Sequence, residues 1–177
     1  MRARALAWIA LASLVACGSG EEVRRVSYAN GHPWSELRYR DGKAEGPFTT
    51  WYENGQKANE GRNFAGRLQG KVTEWHEDGT VVLEATYDRG HLDGPWHERW
   101  PDGKERCVAN YKRGRLDGLY TEWTREGLQI LTGRYVDGLK EGAWTGTTPD
   151  GKATRTSAYV HGELKTDLDR ASSGKTQ

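Results

Sequence analysis

The chain has 177 residues and a mass of 19.9 kDa, which leaves room for one domain or one array of repeats and argues against a two-domain enzyme. Leu, Ile, Val and Phe together number 27, about 15% of the residues, a level that predicts disorder when it accompanies a high net charge. The net charge is only +1, however, and 8 Trp, 8 Tyr and 23 Gly replace the missing aliphatic residues. The composition therefore favours short strands and tight turns in which large rings supply the buried area.

The N-terminus has the pattern of a signal peptide. Arg2 and Arg4 form a basic start, and the apolar stretch Ala5–Ala16 follows with 12 residues. A transmembrane helix needs roughly 17 to 25 apolar residues, so this stretch is too short to span a membrane. We therefore predict that residues 1–16 are a signal peptide that is removed from the mature protein.

The signal ends in the sequence LVAC at residues 14–17, which resembles a bacterial lipobox. The resemblance implies that Cys17 is the acylated, palmitate-bearing N-terminus, that residues 17–27 form a lipidated tether, and that the protein is anchored in the cell envelope. Gly18 is compatible with sorting to the outer membrane of a Gram-negative bacterium. The alternative is an ordinary secretory signal with an incidental Cys.

Charge excludes one class of partner. Removal of residues 1–16 leaves 24 basic and 25 acidic side chains, a net charge of −1. The two signs alternate along the chain, whereas nucleic-acid binding needs a concentrated basic face. The mature chain is therefore not expected to bind nucleic acid.

Glycines recur in the rest of the chain with a period of 24 residues and no insertion. Such a period is the signature of a repeat array, so we predict that residues 28–165 form the array and that residues 166–177 form a disordered polar tail. Three columns define the period: Gly42, Gly66, Gly90, Gly114 and Gly138; Gly46, Gly70, Gly94, Gly118 and Gly142; and Gly55, Gly79, Gly103, Gly127 and Gly151.

Asn or Asp precedes most glycines of the third column, as in Asn54-Gly55. These dipeptides are favoured where both central residues of a two-residue turn have positive φ, so each is predicted to be a hairpin tip. The Gly-x-x-x-Gly segments, such as residues 90–94, would then pass the chain to the next hairpin. The sequence thus predicts an all-β fold, an elongated single-sheet array of β-hairpins.

Counting outward from two-residue tips predicts cross-strand pairs in which a bulky residue faces a small one. Cys107 lies on the face that carries these pairs, at the repeat position of Leu83 and Leu131, so we expect it to be a small core residue. The predicted pairs on this face include Phe48 with Gly61, Trp96 with Ala109, Tyr120 with Gly133 and Trp144 with Ser157, and those on the other face include Trp51 with Ala58 and Trp123 with Ile130.

The unit Tyr-x-x-Gly-x-Leu-x-Gly-x-Trp-x-x-Trp-x-x-x-Gly runs from Tyr111 to Gly127, with Tyr at the first Trp position. It resembles the MORN repeat variant family, often named YwqK-type antitoxins, over roughly residues 28–165. The resemblance implies a run of β-hairpins that serves as an interaction or scaffold module, and it leaves an antitoxin-like partner of a toxin as an alternative. The pattern breaks at Arg99, where the Trp has moved to Trp100.

The sequence offers no constellation that favours catalysis, a metal or a cofactor. The acids are periodic, as at Asp93, Asp117 and Glu141, and periodic carboxylates fit turn or solvated positions better than a catalytic pair, whose pKa values must differ. The five histidines occupy five different repeat positions, and none has the spacing of a zinc motif. We expect a non-enzymatic protein without a metal or cofactor.

The aromatic columns allow two interpretations. A sheet poor in aliphatic residues needs its rings as a core, which favours packing. An uncovered face of rings would instead be an exposed patch, and such patches usually mark a partner surface. The candidate binding residues are Trp51, Trp75, Trp100 and Trp123. The favoured function is a surface-anchored scaffold that binds an unknown protein, and the alternative is binding of cell-wall glycan or choline-like headgroups by these rings.

Overall fold

The computed structural model describes residues 10–17 and 20–171, and the regular secondary structure in those residues consists of β-strands. The predicted all-β array of antiparallel hairpins is therefore confirmed. The strands are β1 (Ala10–Cys17), β2 (Glu21–Ser27), β3 (Pro33–Arg40), β4 (Lys43–Trp51), β5 (Lys57–Phe64), β6 (Arg67–Leu68), β7 (Gly70–Trp75), β8 (Val81–Asp88), β9 (His91–Arg99), β10 (Glu105–Lys112), β11 (Arg115–Leu116), β12 (Gly118–Trp123), β13 (Gln129–Val136), β14 (Leu139–Thr147), β15 (Ala153–Val160) and β16 (Glu163–Ala171).

The chain divides into two compact units. The first contains residues up to 81 together with residues 87–90, and the second contains residues 82–86 and those from 91 onward. In the first unit the strand order is β1-β2-β3-β4-β5-β7, and β6 pairs with β5. In the second unit the order is β9-β10-β12-β13-β14-β15-β16, and β11 pairs with β10. Strand β8 contributes residues to both units, and pairing between chain neighbours gives the hairpin-by-hairpin order that the repeat predicts.

The two-residue turns lie at the first glycine column, which corrects the prediction that they lie at the third. Asp41 and Gly42 connect the paired residues Arg40 and Lys43, with φ values of 51° and 76°. Positive φ at both central residues is what a type I′ turn requires. The other non-glycine residues with positive φ each precede a glycine of the same column: Ala65, Arg89, Arg113, Asp137 and His161.

The third glycine column instead forms loops of three residues, as at Gly55, and a loop of four residues at Gly151. The Gly55 N–H donates to the Tyr52 carbonyl at 2.9 Å, and the Tyr52 N–H donates to the Gln56 carbonyl at 2.8 Å. Only Gly55 in this loop has positive φ, at 86°, which fits a type I turn followed by a glycine bulge. Asn54 is favoured for another reason: its Oδ1 accepts from the Gln56 N–H at 2.9 Å, so the side chain closes the turn.

A β-bulge near the loops at Gly55, Gly103 and Gly127 restores the predicted register. Beyond the bulge, Phe48 pairs with Gly61 as predicted. Next to the loop the register shifts by one residue, so Trp51 pairs with Lys57. Ala58 is the extra residue of the bulge and has no pairing partner on β4. Trp123 likewise pairs with Gln129 and not with Ile130. The other predicted pairs on the first face that lie within the second unit are confirmed: Trp96 with Ala109, Tyr120 with Gly133 and Trp144 with Ser157.

The core of the second unit consists of rings laid over small residues. Trp144 is 2% exposed, and its ring covers Gly133 so closely that a Cβ atom there would lie 2.2 Å from Trp144 Cδ2. The Tyr135 and Trp144 ring centroids are 4.8 Å apart in an edge arrangement, and Tyr120 lies 6.0 Å from Trp144. The Lys140 ammonium lies 4.4 Å from the Trp144 centroid. The ammonium therefore covers the ring and makes a cation–π contact with it.

Both predicted array ends need correction. Residues 21–27 form strand β2, paired with β1 and β3, and not a free tether. Ion pairs between Arg25 and Glu36 at 2.8 Å and between Arg40 and Glu21 at 2.5 Å join β2 to β3. At the other end, strand β16 extends the ladder to residue 171, beyond the predicted start of the tail.

Some predictions fall on residues that the structure does not describe. Residues 1–9 of the predicted signal, residues 18–19 and residues 172–177 of the predicted tail lie outside the described residues. Residues 10–16 of the predicted signal belong to β1 in the full chain, and their removal stays a prediction. Within the described residues, no helix has the length and apolar character that a membrane span needs.

Candidate binding cavity

The four candidate tryptophans divide between the two units. Trp51 and Trp75 belong to the first, where their backbone carbonyls accept hydrogen bonds from the hydroxyls of Tyr28 at 2.9 Å and Tyr52 at 2.7 Å. Trp100 and Trp123 belong to the second unit and line one cavity of about 220 Å³. The cavity also contains Ile130, Cys107, Tyr120, Arg106, Glu98 and Glu122.

Strand pairing places two carboxylates on either side of a buried thiol. Cys107 on β10 pairs with Glu98 on β9 and with Glu122 on β12. Paired residues of an antiparallel sheet share a face, so all three side chains meet at one surface. Cys107 is 8% exposed, which confirms the prediction that it is a core residue. The two glutamates lie 24 residues apart at one repeat position, so periodicity alone assigns them, like the other acids, to turn or solvated positions.

The polar groups of the cavity form two unlike pairs. The Arg106 guanidinium bonds to the Glu98 carboxylate and lies 5.1 Å from the Trp100 ring centroid. The Tyr120 hydroxyl donates to the Glu122 carboxylate. One carboxylate therefore faces a cation and a ring, whereas the other faces only a neutral donor.

Burial makes the cavity unsuited to nucleophilic chemistry. Desolvation raises the pKa of the Cys107 thiol; the Tyr120 hydroxyl opposes this shift, and the charges of Glu122 and Glu98 add to it. Desolvation and the hydrogen bond to Glu122 likewise raise the pKa of Tyr120. Both groups are therefore protonated at neutral pH, and a protonated thiol is a poor nucleophile. The arrangement can bind a ligand by ring contact, charge and hydrogen bonding.

Trp100 differs in its hydrogen bonding from two of its repeat equivalents. At the same repeat position, Tyr28 and Tyr52 each donate a hydroxyl proton to a backbone carbonyl 23 residues further along the chain. The Trp100 indole N–H is buried without an acceptor. Sequence reasoning noticed that the Trp had moved to this position but did not foresee the unsatisfied donor.

Two further lining residues depart from their repeat positions. Arg106 stands where the neighbouring repeats have Val82 and Ile130, and Cys107 stands where they have Leu83 and Leu131. Cys107 is smaller than the equivalent leucines and leaves space, and the charged Arg106 brings a cation to that space. Comparing each residue with its equivalents 24 positions away is the sequence signal that could have found the cavity, because functional sites are where local rules are broken.

The other periodic acids have a structural role, as the sequence interpretation held. Asp117 Oδ2 accepts from the Asp137 N–H at 3.1 Å, and Asp93 Oδ2 accepts from the Arg113 N–H at 3.2 Å. Each acid thus binds the first residue of the following type I′ turn. Equivalent side-chain oxygens accept from the backbone N–H of the turn residue in three other repeats: Glu45 from Ala65, Gln69 from Arg89 and Glu141 from His161. Within the described residues, no group of His, Cys, Asp and Glu side chains is arranged to hold a metal ion.

Comparison with known families identifies part of the array. The sequence model of the MORN repeat variant matches residues 44–64 and 68–89, two segments that begin one 24-residue period apart. No curated protein matches the chain. The first segment covers most of the β4–β5 hairpin, and the second runs from the end of β6 to just past β8. These hairpins are therefore similar in sequence to MORN repeats of the variant type.

Proposed function

We propose that this protein is a non-catalytic repeat scaffold for protein–protein interaction, held at the cell envelope by a lipid on Cys17. The match to MORN repeat variants supports a repeat scaffold, and the sequence at residues 14–17 supports the anchor. The YwqK-type antitoxin role has only the sequence resemblance behind it.

Exposed apolar side chains in the second unit are the observation that carries the proposal. Leu119 is 74% exposed, and Val136, Leu139 and Val160 are also exposed. Leu119 neighbours Tyr120 of the ring core, so alternation directs it to the opposite face. Val136 pairs with Leu139 on that same face. A chain this poor in aliphatic residues leaves them exposed at a cost unless a partner covers them.

Site-specific photo-crosslinking tests the scaffold function. A crosslinking residue at position 119 should give a discrete protein adduct in cells. The same residue at Lys152, whose side chain is 84% exposed in the β14–β15 loop, should not. Equal adduct patterns at both positions, or no adduct from positions 119, 136 and 160, would contradict a partner on this face.

The lipid anchor has its own test. Cys17→Ser should abolish labelling by a palmitate analogue and release the protein from membranes or leave it unprocessed. A mature Cys17→Ser protein that still fractionates with membranes would disprove the anchor.

Glycan or headgroup binding is the second candidate function, because Trp100 and Trp123 line the same cavity. Pull-down on peptidoglycan sacculi tests it, with Trp123→Leu as the variant that should lose binding and Trp34→Leu, which is in the first unit and outside the cavity, as the control.

A further inference from the structure

The cavity beside Cys107 contains two carboxylates and one cation. Glu98 is paired with Arg106, whereas Glu122 accepts from the neutral Tyr120 hydroxyl. In the part of the chain that the structure describes, no basic side chain pairs with Glu122. The lining residues therefore carry a net negative charge in a recess, where charge interactions are stronger than in open water.

The Arg106 site demonstrates how this surface holds a cation. Its guanidinium is bonded to Glu98 and lies over the Trp100 ring, the combination of carboxylate and ring face that favours organic cations. Glu122 and Trp123 provide a second carboxylate and a second ring in the same cavity. The residue one period after Arg106 is Ile130, so the second carboxylate has no resident cation of this kind.

The size of the cavity favours a single side chain. The volume of about 220 Å³ is below the roughly 300–1,000 Å³ of pockets for drug-sized ligands and suits a single side chain.

We propose that this cavity binds the side chain of a lysine or arginine residue in a partner peptide, with the cation held by Glu122 and Trp123. The proposal rests on the scaffold function above, since it names the chemistry of the partner.

Titration with a lysine analogue tests the site directly. Nα-acetyl-lysine N-methylamide should perturb the NMR signals of the Trp100 and Trp123 indoles in a saturable way. The norleucine analogue, which has the same stem without the charge, should bind at least about 5-fold more weakly, since the ring contact alone gives about that factor for a cation.

Three variants locate the binding. Glu122→Gln keeps the shape and removes the charge, so it should weaken lysine-analogue binding by about 10-fold or more, the effect of losing one hydrogen bond between charged groups. Glu74→Gln, at the same repeat position in the first unit, should leave it unchanged. Ile130→Arg should supply a resident guanidinium at the position equivalent to Arg106 and block the analogue. Denaturant midpoints establish that each variant is folded, and if Ile130→Arg is not, Glu122→Gln decides alone.

Several results would overturn the proposal. These are equal binding of the lysine and norleucine analogues, equal loss in Glu74→Gln and Glu122→Gln, or the absence of saturable binding. Binding of phosphatidylcholine vesicles that Glu122→Gln abolishes, without binding of the lysine analogue, would assign the cavity to a headgroup instead. A crosslink at position 119 that persists while the analogue fails to bind would reject the cavity proposal and retain the scaffold.

Discussion

The ring cluster around Trp144 and the cavity beside Cys107 use the same repeat positions in the same unit, yet one is closed and the other is open. In the closed region, Trp144 covers Gly133 and Lys140 shields the ring. In the open region, Tyr120 takes the position of Trp144, and Cys107 takes that of Leu131. Both regions are antiparallel hairpins of one array, so the side chains at a few repeat positions distinguish core from cavity.

The comparison teaches how a repeat array acquires a site. Each hairpin of the second unit is supported by its neighbours, and the loss of bulk at one position is tolerated because adjacent repeats remain packed. Substitutions that open a cavity therefore need not unfold the sheet. The predictions below are ordered from the largest expected effect to the smallest.

Emptying the closed region should cost the most. Trp144→Ala removes a ring that is 2% exposed, and it should lower the free energy of unfolding by about 3–5 kcal/mol, the range for a buried Trp. Trp34→Ala, at a site that is 41% exposed, is the control and should cost distinctly less. Denaturant midpoints measure both, and equal losses would show that Trp144 is not the centre of the packing.

Adding a methyl group beneath the same ring should cost less. Gly133→Ala places a Cβ atom 2.2 Å from Trp144, and overpacking of this kind should cost about 1–3 kcal/mol. Gly146→Ala on β14 is the matched control, because the atoms nearest to a Cβ there, the Ile130 carbonyl oxygen and Leu131 Cδ1, would be 3.9 Å away. If thermal or denaturant unfolding does not separate the two variants, the close packing of ring on glycine is wrong.

Filling the open region should make it resemble the closed one at little cost. Cys107→Leu restores the residue of the neighbouring repeats, and because the added carbons enter the cavity, it should cost less than the roughly 1–3 kcal/mol of overpacking a closed core. Binding of the lysine analogue should be lost, as seen by NMR titration. Retained binding in a folded Cys107→Leu protein would place the ligand elsewhere.

Thiol labelling should report the environment without changing stability. Burial raises the pKa of Cys107, so the reactive thiolate forms only above the ordinary thiol range near pH 8.5. In the folded protein, the rate of reaction with a disulfide reagent should stay low at neutral pH and rise only at higher pH. Denatured protein is the control and should react rapidly, and fast labelling of the folded form at neutral pH would remove Cys107 from the core.

Much of the fold could be predicted because strand pairing repeats. The pair of Trp96 with Ala109 follows from counting and alternation alone. The turn types were harder to predict. Asn54-Gly55 and Asp41-Gly42 are both good turn sequences, and the dipeptide alone does not reveal which of the two forms a two-residue loop. The candidate site was predicted only in part, since Trp100 and Trp123 were named whereas Glu98, Glu122 and Arg106 were not singled out as binding residues.

The sequence by itself determined the 24-residue period, the all-β class and the face on which Cys107 and Trp144 lie, because alternation along a strand is a local property. Tertiary structure decided the turn types and the cavity. The type I′ turn at Asp137-Gly138 is held by bonds to Asp117 and to the Leu116 carbonyl of the preceding hairpin, and positive φ at a residue other than Gly needs such support. The cavity forms because strand pairing places Glu98 and Glu122 on either side of Cys107, a neighbourhood that no single repeat contains.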